Sequence, residues 1–291
     1  MIPTNTLANP VGPITGLGLF SGQPASVVIV PGTGDNTIRF RSPDGSSLTP
    51  AHVRHVTANP SWSGLPKGVP IRNTTLRSAD GARIYATIEH LMAALVGLGV
   101  WDATIELTGP EVPILDGSAL PFVQALLPAL RPAAHPPIPL APAAPVRADH
   151  GGASIEAAPG AHAIAYALDY GPGSPLKPHT ATWDGSARSF IDRIAPARTF
   201  SMRAEVEAAT ALGLFASFTP KDLPVVADDG SLIDNAWRLE HEAAAHKLLD
   251  LIGDLALLGS PLAASVTARK SGHALTHDLC RALLALPSVH A

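Results

Sequence analysis

His246 and Asp250 stand four residues apart in an Ala- and Leu-rich run, which places them about 40° apart around a helix, on one face and one turn from each other. An imidazole nitrogen and a carboxylate oxygen are ordinary ligands for zinc or a similar divalent ion, and a third protein ligand would leave one position open to water. Spacing joins only these two residues. His90 is the natural third ligand if the chain brings the two segments together, and Glu89 beside it would then take a proton from water activated by the ion. Without an ion, a carboxylate at that point is explained by the dipole of the helix it opens. An isolated His/Asp pair is more often a surface hydrogen bond than a metal site, but the apolar residues around this one argue for burial. The adjoining run His241-Glu242-Ala243-Ala244-Ala245-His246 resembles the HExxH zinc-protease motif with one residue too many. Histidines five apart lie about 140° apart around a helix and do not readily clasp one ion, so His241 and Glu242 read as a solvated helix face.

The elements that must position these residues echo one another. His90 to Gly97 leads into a strand-like run at Ala103 to Leu107, and His246 to Gly253 leads into another at Ala263 to Thr267. Each segment reads as an amphipathic or buried helix that opens near a histidine and returns into a strand. Two related halves facing each other would bring the helices together; chance similarity between Ala/Leu-rich helices explains the echo equally well. Ala25 to Val30 and Thr37 to Arg41 read as strands of a hairpin around Pro31-Gly32-Thr33-Gly34-Asp35-Asn36. Ser154 to Ala157 and Ala163 to Leu168 repeat the strand pattern, and Ser189 to Ile194 reads as part of a short helix. The proline-dense stretch Arg131 to Pro145 suits an extended connector. The expected division is therefore an N-terminal domain at 1–131, a linker at 132–145 and a C-terminal domain at 146–291. The fold class is α+β, with each domain a sheet layered against helices and the active site between them.

Composition narrows the function. A chain of 291 residues with 46% hydrophobic content can fill a core in each of two domains. The net charge of -4 comes with scattered Lys and Arg and no basic stripe, which argues against a nucleic-acid partner. One cysteine, Cys280, excludes an internal disulfide and a Cys-rich zinc site and fits a reducing cytoplasm. The start Met1-Ile2-Pro3-Thr4-Asn5 has no export signal, and the longest apolar runs fall short of the ~20 residues that span a bilayer. No transmembrane segment is expected. Nothing implies an oligomer, and a monomer is the expectation.

Five ordered motifs together resemble a known family. Ile88-Glu89-His90-Leu91-Met92-Ala93-Ala94-Leu95, Pro113-Ile-Leu-Asp-Gly-Ser118, Ala197-Arg-Thr-Phe200, His246-Lys-Leu-Leu-Asp250-Leu-Ile-Gly-Asp254 and Lys270-Ser-Gly-His-Ala-Leu275 are similar to those of the bacterial UDP-3-O-acyl-N-acetylglucosamine deacetylases. The resemblance runs from Gly16-Leu-Gly-Leu19 almost to the C-terminus. It implies a two-domain, cytoplasmic zinc enzyme that removes acetate from an acylated UDP-amino sugar, the committed step toward lipid A. By motif, His90, His246 and Asp250 resemble the zinc ligands, a site that also accepts Fe2+, and Glu89 resembles the general base. His273 matches the histidine that stabilises the oxyanion or protonates the leaving amine, Asp254 the carboxylate that orients it, and Thr199 a hydroxyl on the oxyanion. Phe200 and Leu19 fall among the substrate contacts, and Lys247 and Lys270 match positions facing the diphosphate. The Asp116-Gly117-Ser118 loop reads as a structural turn. The segment from Arg203 to Ser217 corresponds to an inserted strand-helix-strand element that forms the passage for the acyl chain, and its apolar composition suits that use.

The sequence departs from the family pattern at several places. Phe20 stands where histidine is usual, Phe215 to Lys221 replaces a Gly-Gly-rich segment, Gly171 to Pro178 is recast, and Arg269 stands where an aromatic is common. None removes a candidate ligand, acid or base, and all lie where substrate would be gripped. A diverged paralogue acting on another N-acyl sugar or amide is therefore one alternative. A non-catalytic metal- or sugar-nucleotide-binding protein is another, less favoured because ligands, Glu89 and His273 coexist.

Overall fold

The computed structural model describes residues 4–57 and 71–286. Two five-stranded sheets share one topology. In the first, the spatial order is Val11–Leu17, Pro24–Pro31, Ala103–Thr108, Ile38–Arg41, Leu48–Pro50. In the second it is Val146–His150, Ala153–Pro159, Ala264–Arg269, Ala163–Leu168, His179–Trp183. Each time the central strand is the last in sequence, antiparallel to the second strand and parallel to the third. The echo between the two helical segments is thus carried by a repeated α+β unit.

Period-two burial explains the strands. Ile155 and Ala157, then Ile164, Tyr166 and Leu168, then Ala264, Val266 and Ala268 point inward from neighbouring strands, as a sheet with one covered face requires. The expected hairpin between Ala25–Val30 and Thr37–Arg41 does not form, because both strands pair with Ala103–Thr108, which inserts between them. Their connection straddles the start of that inserted strand. Gly34 donates its amide to the Asp102 carboxylate at 2.5 Å, and a side chain at Gly32 would collide with Asp102. Turn residues mark a reversal of the chain and say nothing about a third strand entering the gap.

Six helices complete the fold among the described residues: α1 Glu89–Gly97, α2 Leu120–Leu126, α3 Ala187–Arg193, α4 Arg203–Ala211, α5 Glu242–Leu255 and α6 His273–Leu284. Helix α1 packs on α5, α2 on α1, and α6 on α5, so the repeated units meet helix to helix. All of α1 is buried, and all of α5 except Lys247. One hydrophobic cluster runs through both halves. The strands Ser201–Met202 and Val225–Val226 pair in parallel with α4 between them, and no residue of α4 is buried. In the Pro-rich connector, Leu140 bridges to Leu262. No helix among the described residues is long and apolar enough to cross a membrane.

The glycine seven residues after each histidine has a packing reason. A Cβ at Gly97 would enter the Phe190 ring of α3, and one at Gly253 would strike the carbonyl oxygen of Glu89. The second contact lets α5 approach the first turn of α1 closely enough for their side chains to share a site. Alanine normally favours a helix over glycine by ~1 kcal/mol. We predict that Gly253→Ala has the opposite sign here, destabilising by about 1–3 kcal/mol through overpacking; urea unfolding that shows a gain in stability would refute this contact.

Candidate metal and catalytic site

Helix geometry delivers three donor atoms to one point. His246 and Asp250 project from successive turns of α5, and His90 reaches them from the first turn of α1. His90 Nε2 and His246 Nε2 lie 3.5 and 3.4 Å from Asp250 Oδ1, and the three ligand atoms all fall within 4.8 Å of one another. Tetrahedral bonds of about 2.0–2.2 Å place neighbouring donors about 3.3–3.6 Å apart, so the spacing fits a divalent ion. The tautomer fits as well. His246 Nδ1 lies 3.2 Å from the Ala197 carbonyl oxygen, which only accepts, so Nδ1 carries the proton and Nε2 keeps its lone pair for a metal. Burial pushes the His246 ring down to about 3, keeping it neutral. Burial alone would raise Asp250, but the Lys247 ammonium, 2.8 Å from Oδ2, holds its carboxyl well below the usual range.

A second set of groups flanks the donors. Glu89 opens α1, its Oε2 accepting the Thr74 amide at 3.0 Å, and burial raises its pKa. His273 opens α6, with Nδ1 2.7 Å from Asp254 Oδ2. Burial works against charge on this ring, yet Asp254 outweighs it and lifts His273 to about 9, while His273 and its neighbours hold Asp254 low against its own burial. One cavity therefore contains a carboxyl pushed toward the acid form and an imidazole pushed toward the cation, the separation that acid–base chemistry uses.

These groups line a cavity of about 330 Å³ together with Lys247, Thr199, Phe200 and Leu19. The Thr199 amide donates to the Gly117 carbonyl at 2.7 Å, so the Asp116-Gly117-Ser118 turn braces the segment that carries it. Phe200 stands edge-on to His246, with ring centroids 6.3 Å apart. Asp254 lies behind His273. Lys270 is outside the cavity lining, its ammonium 3.2 Å from Asp169.

The solvated-face reading of His241 and Glu242 is half wrong. His241 is exposed and stacks on His179, but Glu242 is buried and bonds the Arg198 backbone amide, Nε and Nη2. This clamp fixes the segment between Ala197, which accepts from His246, and Thr199. The alanines at 243–245 were a usable signal, since a helix with that face buried leaves little room for a solvated carboxylate. Sequence reading also missed Thr74, whose hydroxyl donates to Asp254 Oδ1 at 2.5 Å and lies 3.1 Å from His277 Nε2. It missed buried Glu111, which accepts from Ser21 and from Thr87 at the cavity edge. Neither carries a local pattern that could have found it.

A buried metal cradle flanked by a poised carboxyl and an imidazolium is the equipment of a metal-dependent hydrolase. Residues 4–285 match the LpxC family, UDP-3-O-acyl N-acetylglycosamine deacetylase, and the chain belongs to that family. It is 35% identical over 285 residues to the UDP-3-O-acyl-N-acetylglucosamine deacetylase of Anaeromyxobacter dehalogenans, covering 95% of this chain and 86% of that one. The enzyme of the same name from Acidithiobacillus ferrooxidans is 35% identical, covering 98% and 90%. That from Photobacterium profundum is 35% identical, covering 93% and 87%.

Two outcomes test these electrostatics. Glu242→Ala leaves Arg198 charged and unpaired in the interior and should cost about 3–5 kcal/mol in chemical denaturation. His273 is pushed up to about 9 in the folded protein, above the ordinary imidazole value of 6.5. Its contribution to stability is thus full below pH 6.5 and lost as pH rises through about 9. Asp254→Asn removes the cause, so NMR titration of the metal-free protein should find the His273 pKa lowered and the loss of stability at high pH absent. An unmoved titration would assign the shift elsewhere.

Proposed function

We propose that the chain hydrolyses the N-acetyl group of UDP-3-O-acyl-N-acetylglucosamine with zinc, the committed step of lipid A biosynthesis, in the cytoplasm. The observation that carries this reading is the convergence of His90, His246 and Asp250, with their donor atoms within 4.8 Å of one another, in the cavity that Glu89 and His273 also line. Family membership supplies the substrate. The division into domains at 1–131 and 146–291 about the 132–145 linker belongs to the same proposal, as does a monomeric state.

His90, His246 and Asp250 would hold the ion, which when bound would polarise the acetyl carbonyl and lower the pKa of water. Glu89 takes a proton from the attacking water as its oxygen bonds the acetyl carbon. A carboxyl with a raised pKa suits this work, since a stronger acid would be a poorer base near neutrality. Thr199 and protonated His273 hydrogen-bond the oxygen on which negative charge develops. When the C–N bond breaks, His273 passes its proton to the departing amine, which is a poor leaving group without it. Asp254, tied by Thr74, holds His273 in orientation and keeps it charged. Acetate and the free amine leave, the acetic acid proton goes to solvent, and the proton held by Glu89 is returned to His273, which restores the imidazolium for the next turnover.

Substrate contacts follow from the lining. Lys247 presents its ammonium at the cavity wall for the diphosphate, Leu19 and Phe200 face the acyl and sugar portions, and Lys270 would join after exchanging Asp169 for phosphate. Glu89→Gln and His273→Ala should each retain metal and lower turnover of the sugar nucleotide by ~100-fold or more. His246→Ala should lose the metal itself, read by elemental analysis. Full turnover by Glu89→Gln would remove the general base from the scheme, and a metal-free active wild type would remove the ion.

A further inference from the structure

Beside the cavity that holds the candidate catalytic groups lies a second pocket of about 70 Å³, lined mainly by the 201–225 segment. Leu19, Thr199, Phe200, Ser201 and Phe215 line both spaces, so these five residues form the partition between them. Phe215 is its least ordinary member. Its backbone sits in the left-handed region at φ 60°, a conformation that suits glycine and is costly for a bulky side chain. Its ring packs on Phe20, with centroids 5.6 Å apart and planes tilted by 46°. Phe20 is fixed from beneath, because its amide and that of Ser21 donate to buried Glu111 at 3.2 and 2.8 Å. The two rings are also two of the departures from the family pattern, brought from opposite ends of the chain into one contact.

A strained backbone persists where its surroundings hold it and its side chain has a use. On the catalytic side of the partition the insert offers Ala208, Leu212 and Leu214; on the far side it offers Val206, Phe218 and Leu223. Both walls are largely apolar, with Glu205 as the charged group the insert adds on the catalytic side and Thr210 and Thr219 on the far side, and the Phe215 ring stands at their junction. We propose that Phe20 and Phe215 set the length of acyl chain the enzyme accepts, by closing the passage between the two pockets. This rests on the deacetylase reading above. A chain that ends before the Phe215 ring fills the first space. A longer one must displace that ring or fold back toward solvent, and in a hydrophobic pocket a single surplus methylene changes kcat/KM by about 10–200-fold.

The test is kcat/KM of the zinc-loaded full chain on UDP-3-O-acyl-N-acetylglucosamine bearing a decanoyl or a tetradecanoyl group. Wild type should favour decanoyl. Phe215→Gly, which removes the ring and relieves the backbone, should raise the tetradecanoyl-to-decanoyl ratio about tenfold or more. Phe20→Ala leaves the backbone at 215 alone and should move the ratio in the same direction, so it decides the matter if the glycine variant does not fold. A wild type that favours tetradecanoyl, or an active wild type whose ratio neither variant moves beyond about twofold, overturns the partition while leaving the deacetylase reading intact. A metal-loaded wild type that turns over neither substrate overturns the deacetylase reading, and the partition with it.

Discussion

Helix α5 meets the backbone of α1 at Gly253, and the rest of the site depends on that approach. The carbonyl of Glu89 occupies the space where a side chain would otherwise stand. Because the contact joins the first turn of α1 to the last turn of α5, it sets His90 beside Asp250 without any loop bridging them. A metal site assembled on two packed helices has donor positions fixed by helix geometry, which is more rigid than a loop. The duplicated fold supplies the two helices, and the small residue supplies their spacing.

Close approach concentrates charge, and the interior answers it group by group. Asp250 has Lys247 and the two imidazoles, Asp254 has His273 and the Thr74 hydroxyl, and Glu242 has Arg198. Glu89 has an amide and neighbouring imidazoles but no Lys or Arg pairing among the described residues, and it is the carboxyl whose pKa burial raises. Differential compensation thus sets these carboxyls apart: Asp250 and Asp254, which have strong partners, are held low, and Glu89, which has weak ones, is raised. Asp254 and Glu89 lie within one hydrogen-bonded network through Thr74, yet they are driven in opposite directions.

Legibility in the sequence followed the range of the interaction. His246 and Asp250 were readable because one helical turn relates them, and the strands at 153–159 and 163–168 because period-two burial is local. His90 required the echo of two segments, which became a repeated topology only once the order of the strands was known. The hairpin reading failed where a strand from sixty residues downstream entered between its arms. Glu242 was misjudged because its partner Arg198 lies on another element, and Thr74 and Glu111 are single polar residues whose meaning comes entirely from distant neighbours.

Backbone strain adds a last constraint. Thr87 and Lys270 adopt φ of 54°, and each stands two or three residues before the first residue of a helix that carries a proposed catalytic group, Glu89 in one case and His273 in the other. A left-handed residue turns the chain sharply, so that α1 and α6 begin with their first side chains aimed at the cavity. For β-branched Thr87 this conformation is unfavourable, and it is held by bonds from its hydroxyl to Glu111 and from Asn73 to that hydroxyl. The same Glu111 grips the turn at Phe20 and Ser21. One buried carboxylate therefore ties the entry of α1 to the loop that presents Phe20, linking the floor of the cavity to the aromatic wall that Phe20 forms with Phe215.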